Sequence, residues 1–385
     1  MTVVAASKHP FKWGDPVQFS AMKQRSWIAR LMLVGASVGC VSWVGAARIG
    51  PLAAPARPRA APASPTASDP GRSIERLDPA LDGLVTPGSA AEKLAGGFGF
   101  LEGPVYLPSG GLLFSDIPRN VIRRWSPTGT SVFRTEAGDS RTDVPPEQRV
   151  GSNGLTLDRG RLIICEQGNR RVTRLESDGR LTVLAARFHG RRFNSPNDVI
   201  VKSDGGVYFT DPPYGLPKGD ADPAKELTVN GVYRIWHGHV QLLIANLQRP
   251  NGLAFSPHED FLYVDNSDPG QQKWMRYPVK RDGTLGAGSV FLDPGPAPDY
   301  AAGVPDGMKL DRHGNIFSSG PHGVWIISPQ GRHLGTIHLP ETPANLAWGA
   351  EGGALATGQA AHWLYITAQT GLYRIHLQTS GRSPR

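Results

Sequence analysis

The stretch Gly206-Val207-Tyr208-Phe209-Thr210-Asp211 is a short apolar run that ends on an acidic residue, as a buried β-strand leading into a turn does. Runs of the same form recur about every 45 to 55 residues along the chain. The six copies are Gly111–Asp116, Arg161–Glu166, Gly206–Asp211, Phe261–Asp265, Asn315–Ser319 and Trp363–Thr367. Short strands repeated at this period are typical of a β-propeller, in which each repeat forms one four-stranded blade. We therefore expect an all-β, six-bladed β-propeller with four-stranded blades over residues 90–380.

Glycine and proline are abundant, with 47 Gly and 34 Pro among 385 residues. Both residues break helices, and glycine supplies the tight turns between short strands. Several repeats continue into a second strand that ends in such a turn, for example Val172–Glu176 before Ser177-Asp178-Gly179. With 39% hydrophobic residues the chain can still bury a core. The composition therefore favours a turn-rich β protein over a helical bundle.

Another apolar run precedes each of the six copies and carries a polar residue near its start. These runs begin Glu102-Gly103, Asn153-Gly154, Asn197-Asp198, Asn251-Gly252, Asp306-Gly307 and Ala344-Asn345. Because the first strand of each blade lines the central channel of a propeller, the equivalent first residues should meet at one mouth of that channel. Each Asn, Asp or Gly taken alone is also a good turn former. Turn formation does not account for Glu102, or for five oxygen-bearing side chains at equivalent positions.

Two carboxylates in this set, Glu102 and Asp306, would repel each other at the end of a narrow channel unless a cation lay beside them. Carboxylate and amide oxygens are the ligands that Ca²⁺ prefers in proteins. The pattern therefore predicts a metal site in the central channel, with Ca²⁺ as the expected ion and Mg²⁺, Mn²⁺ or Zn²⁺ as alternatives. Asn153 is an additional candidate at the same mouth, either as part of the pocket or as a turn residue.

At these residues the chain resembles the gluconolactonase family, also known as the senescence-marker-protein, gluconolactonase and luciferin-regenerating-enzyme group. The likeness covers roughly residues 90–380, and the matching stretches are Leu101–Pro104, Cys165–Val172, Asn194–Val199, Phe209–Gly215, Arg249–Phe255, Val304–Met308 and Pro343–Leu346. The resemblance implies a six-bladed propeller with one catalytic divalent cation, usually Ca²⁺. In the family a Glu, two Asn and an Asp hold this cation, and the matching residues are Glu102, Asn197, Asn251 and Asp306. Some members carry an Arg two residues before the first of these Asn residues, to hold a sugar hydroxyl, whereas this chain has Ser195.

Such a cage predicts hydrolysis of a lactone, because a cation can polarise the ester carbonyl and lower the pKa of a bound water. Asp306 is the expected catalytic residue, as general base or water-orienting group, and the metal-bound water is the alternative base. The same set of ligands is compatible with two other functions. One is a non-catalytic propeller in which the ion holds the blades together, and the other is a phosphotriester hydrolase. The chain has no Gly-X-Ser-X-Gly or His-Glu-X-X-His motif, which argues against a serine hydrolase or a zincin.

Further polar residues are candidates for contact with a small-molecule lactone at the mouth. Asp211 and Tyr214 lie in a Pro-rich loop after a strand, and His322 lies in Gly320-Pro321-His322-Gly323. We predict these three residues and Asn153 as the substrate-binding set, with loop structure as the alternative for each. Glu166, close to two arginines, is expected to form a structural ion pair instead.

The N-terminal segment explains the net charge of +8 and the pI near 9.6. Residues 1–60 hold eight basic residues and one acid, which leaves 33 basic and 32 acidic residues in the rest of the chain. The folded part is therefore nearly neutral, and we expect no nucleic-acid partner. Residues 22–47 have the order of a signal peptide: basic residues, an apolar run, then small residues.

These features predict an exported protein, periplasmic or secreted. An uncleaved N-terminal membrane anchor, or a lipid attached at Cys40, is the alternative. Residues 1–21 are expected to be a mis-assigned start or disordered, and the Pro- and Ala-rich residues 48–89 a linker. A cleaved signal would leave Cys165 as the sole cysteine, so no internal disulfide is expected.

Overall fold

The computed structural model of the protein describes residues 73–295, 302–356 and 359–381. The predicted mis-assigned start at residues 1–21, the signal at 22–47 and the linker up to residue 72 lie outside this description. Every helix in the described part is a short 3-10 turn, and none is long and apolar enough to cross a membrane. These turns are Pro79–Gly83, Ile117–Arg119, Pro146–Gln148 and Gly219–Ala221.

Two short strands precede the first blade: β1 (Ile74–Arg76) and β2 (Glu92–Ala95). Blade 1 is β3 (Leu101–Tyr106), β4 (Leu112–Asp116), β5 (Val121–Ser126) and β6 (Gly129–Thr135). Blade 2 is β7 (Ser152–Asp158), β8 (Arg161–Glu166), β9 (Arg171–Leu175) and β10 (Leu181–Ala185). A two-stranded hairpin follows, β11 (Arg187–Phe188) and β12 (Arg191–Arg192). Blades 1 and 2 are antiparallel sheets whose strands pair in chain order.

The remaining blades repeat this plan. Blade 3 is β13 (Val199–Val201), β14 (Val207–Asp211), β15 (Gly231–Trp236) and β16 (His239–Ile244). Blade 4 is β17 (Pro250–Phe255), β18 (Phe261–Asn266), β19 (Lys273–Pro278) and β20 (Ser289–Leu292). Blade 5 is β21 (Met308–Leu310), β22 (Ile316–Gly320), β23 (Gly323–Ile327) and β24 (His333–Ile337). Blade 6 contains β25 (Pro343–Gly349), β26 (Ala361–Ala368) and β27 (Gly371–Gly381). The predicted all-β, six-bladed propeller with four-stranded blades is confirmed.

Blade 6 takes its fourth strand from the other end of the chain, because β2 pairs antiparallel with β27. Glu92 lies opposite Arg374 in this pairing, and Lys93 opposite Tyr373. Lys93 Nζ also lies 2.6 Å from a carboxylate oxygen of Glu341 in the loop before β25. The strand therefore completes blade 6 from the other end of the chain and closes the ring by joining the first and last repeats.

The predicted linker at residues 48–89 extends too far, since its last part is packed against the propeller. Strand β1 adds a fifth strand to blade 5 by pairing with β24, with Ile74 opposite Ile337. After it, Leu81 and Val85 are fully buried in the core that blades 5, 6 and 1 share. Two buried aliphatic residues and the pairing with β24 hold this segment against the propeller. Its sequence has three Leu in place of the many Pro and Ala residues of the segment before it.

The hydrophobic core lies between neighbouring blades, where the apolar faces of successive sheets pack together. One cluster joins blades 2 and 3, and others join blades 1 and 2, 3 and 4, and 4 and 5. Trp274 of blade 4, for example, is fully buried and stacks on Trp325 of blade 5 at 5.3 Å between ring centroids. Its indole N–H donates to Ser318 Oγ at 2.9 Å, so the buried polar end is also satisfied.

Candidate functional site

The first strands of the blades begin at one mouth of the channel, and the four predicted metal-binding residues lie at or just before these strand starts. Glu102 and Asn251 are the second residues of β3 and β17, while Asn197 and Asp306 precede β13 and β21 by two residues. Glu102, Asn197 and Asn251 are each less than 5% exposed. Asp306 is only partly buried, so it is the member of the set that faces the open mouth.

Contacts between the blades show that these side chains meet. The Asn197 side-chain amide donates to Asn251 Oδ1 at 3.0 Å, which joins blades 3 and 4. Burial raises the pKa of Asp306 well above its usual value, and the nearby negative charge of Glu102 raises it further. The Asn251 amide partly offsets these effects on the pKa of Asp306. Side chains from blades 1, 3 and 4 and from the loop leading into blade 5 are therefore close enough to interact.

Glu102 is the second buried carboxyl of the site, and burial is the main cause that raises its pKa to about 7. The charge of Asp198 acts in the same direction, against the charge of Lys309. The backbone N–H of Gly103 donates to Glu102 Oε2 at 2.8 Å, and the Asn345 side-chain amide donates to the same oxygen at 3.1 Å. Glu102 is thus held in a fixed orientation without an ion-pair partner among the described residues.

A second polar layer adjoins this mouth and includes residues that the sequence did not single out as site residues. Asp198 and Asp265 are almost completely buried, and one carboxylate oxygen of each has no hydrogen-bond partner among the described residues. Lys309 Nζ donates to Asn345 Oδ1 at 3.2 Å, so Asn345 links the lysine to Glu102. A signal for one of these residues was present, since Asp198 stands where four other repeats have Gly.

The glycines that follow the polar residues serve close packing between blades more than turn formation. A Cβ atom on Gly252 would lie 1.9 Å from the backbone oxygen of Asp306, and one on Gly103 would lie 2.1 Å from that of Asn153. Gly103 also has a φ of +52°, in the left-handed region that glycine tolerates. Glu102, Asn153 and Asn251 lie inside strands. The turn interpretation is therefore wrong for Asn153 and Asn251. The repeated glycines let neighbouring inner strands touch.

The donor set fits a hard divalent cation. The described residues contain no group of three or more His, Cys, Asp or Glu side chains suited to a metal, so a cation at this mouth would depend on amide oxygens as well. Two carboxyls with raised pKa values and the amides of Asn197 and Asn251 supply such oxygens. In addition, Asn153 Oδ1 is buried without a hydrogen-bond partner among the described residues. All these atoms are oxygen donors of the kind that Ca²⁺ prefers.

The predicted substrate contacts do not all lie where the sequence suggested. Tyr214 is 41% exposed, and its hydroxyl is hydrogen-bonded to Ser267 Oγ. Ser267 Oγ in turn accepts from the Asn251 side-chain amide at 3.3 Å. Tyr214 therefore adjoins the mouth through a single intervening side chain. Asn153 is 5% exposed and lies one blade from Glu102, with its backbone oxygen against Gly103.

Asp211 was predicted to contact substrate, and the structure contradicts this. The side chain is fully buried, and its two oxygens accept backbone N–H groups from Asn194 at 2.7 Å and Ser195 at 2.8 Å. Burial raises the pKa of Asp211 to about 7, against the effect of these two hydrogen bonds. Asp211 therefore holds the loop that carries Asn197, and its side chain does not face the mouth.

His322 is exposed in the turn between β22 and β23, with a φ of +66°. Its backbone oxygen accepts from His338 Nδ1 at 2.9 Å, and no contact in the described part of the chain links its side chain to the four metal-binding candidates. The ion pair expected for Glu166 is confirmed, since Arg171 Nε lies 2.7 Å from Glu166 Oε2. Cys165 is buried and free.

Comparison with known proteins agrees with this architecture. The family model described as SMP-30/Gluconolactonase/LRE-like region matches residues 100–379. A gluconolactonase from Zymomonas mobilis is 36% identical over 324 residues, covering 80% of this chain and 87% of its own length. A pentonolactonase from Haloferax volcanii is 25% identical, covering 70% of this chain and 81% of its own. The solved gluconolactonase XC5397 from Xanthomonas campestris superposes with a TM-score of 0.67 at 31% identity, covering 79% of this chain and 94% of that one.

Proposed function

The chain belongs to the SMP-30/gluconolactonase/LRE-like family and is a lactone hydrolase, and we propose that its activity depends on a divalent cation held by Glu102, Asn197, Asn251 and Asp306. The proposed substrate is a sugar lactone or another small lactone, and the proposed ion is Ca²⁺. The relatives support the reaction class, because three of them are a gluconolactonase, a lactonohydrolase and a pentonolactonase by name.

One observation carries the metal role: the buried Glu102 and the partly buried Asp306 both have raised pKa values, and the charge of Glu102 contributes to the raised pKa of Asp306. Neither carboxyl has an ion-pair partner among the described residues. Burying carboxylates in this way is costly unless a positive charge compensates them. The amide oxygens of Asn197 and Asn251 provide further ligands beside them. The cage is therefore more favourable with a divalent cation than without one.

In this proposal the role of each residue follows from its surroundings. When bound, the cation supplies a Lewis acid that polarises the lactone carbonyl and favours the developing oxyanion. Glu102 is fixed by Gly103 and Asn345, so it serves as a ligand only. Asp306 is the more exposed carboxylate, and one of its oxygens orients the attacking water and accepts its proton.

Asn153 and Tyr214 are the proposed contacts of the lactone hydroxyls. Asn153 Oδ1 is an acceptor without a partner in the described structure, and the Tyr214 ring is exposed beside Ser267. Ser195 leaves the mouth without the sugar-binding arginine of some family members, and hydroxyl contacts must come from other side chains. For the location of the protein we keep the proposal of export, on the basis of the signal-like residues 22–47.

A substrate panel tests the function. Purified protein is assayed against gluconolactone, an acyl lactone and a phosphotriester, each with Ca²⁺ and with chelator, beside the Asp306→Asn variant. We expect Ca²⁺-dependent turnover of a lactone that Asp306→Asn abolishes. Turnover of the phosphotriester alone would replace lactone hydrolysis by the phosphotriesterase alternative. Thermal stabilisation by Ca²⁺ without turnover of any substrate would favour a binding module stapled by the ion.

A further inference from the structure

A cavity of about 540 Å³ lies beside the mouth, between loops of blades 2 and 3. Its wall includes Arg141, Gln148, Arg170, Arg192, Leu216 and Asp222. These residues come from loops at the same end of the propeller as the candidate metal site, because they follow second strands or lead into inner strands. The size is in the range of small-ligand pockets.

The cavity adjoins the proposed active site through two shared loops. Arg170 donates from Nε to the backbone oxygen of Phe193, at the start of the loop that carries Asn197. The loop after β14 has Tyr214 on the mouth side and Gly215 in the cavity wall. The backbone N–H of Gly215 donates to Ser195 Oγ at 2.8 Å, which ties these two loops together.

Two guanidinium groups in this wall lack a close carboxylate partner. Arg170 is 4% exposed, and its Nη2 has no hydrogen-bond partner among the described residues. Its Nη1 donates to the backbone oxygen of Ala224 at 2.8 Å, and the nearest carboxylate oxygen, on Glu226, is 3.9 Å away. The side chain of Arg192 forms no ion pair or hydrogen bond within the described part of the chain. Its charge lies near enough to lower the pKa of Arg170, after the larger effect of burial.

The other charged groups around the cavity are already satisfied. Arg141 is paired with Asp139 by contacts of 2.8 and 2.6 Å. Both carboxylate oxygens of Asp222 accept backbone N–H groups, from Ala224 at 2.9 Å and Lys218 at 3.0 Å. Glu226 accepts the backbone N–H of Arg192 at 2.7 Å. Three arginines and one acidic residue, Asp222, line the cavity. Among them Arg170 Nη2 is a buried N–H donor that an incoming acceptor would satisfy.

We infer that this cavity binds an oxyanion, a carboxylate or a phosphate, through Arg170 and Arg192. An anionic group is the ligand that two adjacent guanidiniums with free N–H donors favour. Resting on the proposed lactonase function, the inference extends to substrate: the anion is the acidic group of a lactone whose ring lies at the mouth.

Direct binding tests the site without any need for activity. Inorganic phosphate is titrated into chelator-treated protein while the unfolding midpoint is followed. The variants are Arg192→Met and, as a matched control, Arg187→Met, because Arg187 lies opposite Arg192 in the β11–β12 hairpin but does not line the cavity. We expect phosphate to raise the midpoint of the wild type and the control, and to bind Arg192→Met about tenfold more weakly. Arg192→Lys, which keeps the charge, should retain part of the affinity.

Steady-state kinetics with Ca²⁺ present distinguish two sources of the anion: the acidic group of a lactone substrate and a free anion. Arg192→Met should lower kcat/KM about tenfold for gluconolactone 6-phosphate and change it less than twofold for gluconolactone. If Arg192→Met loses phosphate binding but keeps the wild-type kcat/KM for both lactones, the site binds a free anion and not the acidic group of the substrate. Equal phosphate affinity in wild type and Arg192→Met would overturn the site. Failure of the wild type to hydrolyse any lactone would reject the proposed function and leave the phosphate result to stand by itself.

Discussion

The two ends of the central channel are built from the same inner strands and differ in almost every chemical respect. At one end Glu102, Asn197, Asn251 and Asp306 present oxygen atoms, and the two carboxyls have raised pKa values. The other end opens into a cavity of about 240 Å³. Apolar and charged residues both line this cavity. We call this side the apolar end because its wall includes Leu157, Ile200, Phe255, Leu310 and Trp348.

Charged groups at the two ends also differ in how they are compensated. At the apolar end Lys202 Nζ lies 3.2 Å from Asp204 and 3.4 Å from Glu259. At the polar mouth neither Glu102 nor Asp306 has an ion-pair partner in the described part of the chain. The same inner strands therefore support both ends, but only the polar mouth leaves its carboxyls without ion-pair partners. We therefore expect substitutions at the polar mouth to affect function, and substitutions at the apolar end to affect stability.

The largest expected effect comes from Asp306→Asn, which keeps the size of the side chain and removes its charge. We expect kcat for a lactone to fall by about 10²–10⁴-fold, because the proposed base is lost. In chelator the variant should unfold at the same temperature as the wild type or higher, since the substitution removes a partly buried carboxyl that the charge of Glu102 repels. Steady-state kinetics and thermal unfolding measure the two effects. A variant that loses stability and activity together would contradict the division between the two ends.

At the apolar end, Leu157→Ala tests the opposite outcome. Leu157 is 3% exposed and lies on β7, the strand that carries Asn153 near its other end. We expect a loss of about 2–4 kcal/mol in the free energy of unfolding, because the substitution leaves a cavity in the core. Denaturant titration measures this loss, and kcat/KM should stay within about threefold of wild type. Asn153→Ala on the same strand serves as the matched variant, with a raised KM and little change in stability.

Metal-free stability should depend on pH through Glu102. Its folded pKa of about 7 lies above the usual value of 4.5, so its contribution is fully present below pH 4.5 and is lost as the pH rises through 7. We expect the chelator-treated protein to lose on the order of 1–3 kcal/mol between pH 5 and pH 8 from this group. Glu102→Gln should reduce the slope by this amount, while Asp211 and Asp306, whose pKa values are also raised, maintain the rest. Glu166→Gln is the control, because Glu166 already has Arg171 and Thr173 as partners.

The smallest expected effect concerns Asn345, which touches Glu102 and Lys309 and is not a proposed ligand. Asn345→Leu removes the hydrogen bond to Glu102 Oε2 and leaves Lys309 Nζ without its side-chain acceptor. We expect the Kd for Ca²⁺ to rise about tenfold, as for other residues that orient a metal ligand. Competition with a fluorescent Ca²⁺ chelator measures the change. An unaltered Kd would show that Glu102 is positioned without Asn345.

Local sequence patterns were sufficient to predict the blades and the polar mouth, since both recur at a fixed period. Glu102, Asn197, Asn251 and Asp306 occupy equivalent positions in their repeats, so the ring geometry follows once the repeat is recognised. The pairing of β2 with β27 joins residues nearly a whole chain apart, and no local pattern encodes it. The packing of residues 73–89 was missed because it depends on Leu81 and Val85 reaching a core that distant blades build.

Asp211 illustrates a different limit of sequence reasoning. An acidic residue at a strand end near the mouth can face the channel or turn back to bind the neighbouring loop. The choice depends on the path of residues 194–197, which only the three-dimensional structure provides. Asn345 was similarly ambiguous, because its repeat begins one residue earlier with Ala344.

Calorimetric titration of Ca²⁺ into chelator-treated protein tests the central claim most directly, with wild type, Asp306→Asn and Leu157→Ala measured under the same conditions. The proposal predicts one Ca²⁺ per chain in the wild type and in Leu157→Ala, and binding at least tenfold weaker in Asp306→Asn. Equal Ca²⁺ affinity in wild type and Asp306→Asn, or no binding to the wild type, would contradict a cation site at the polar mouth.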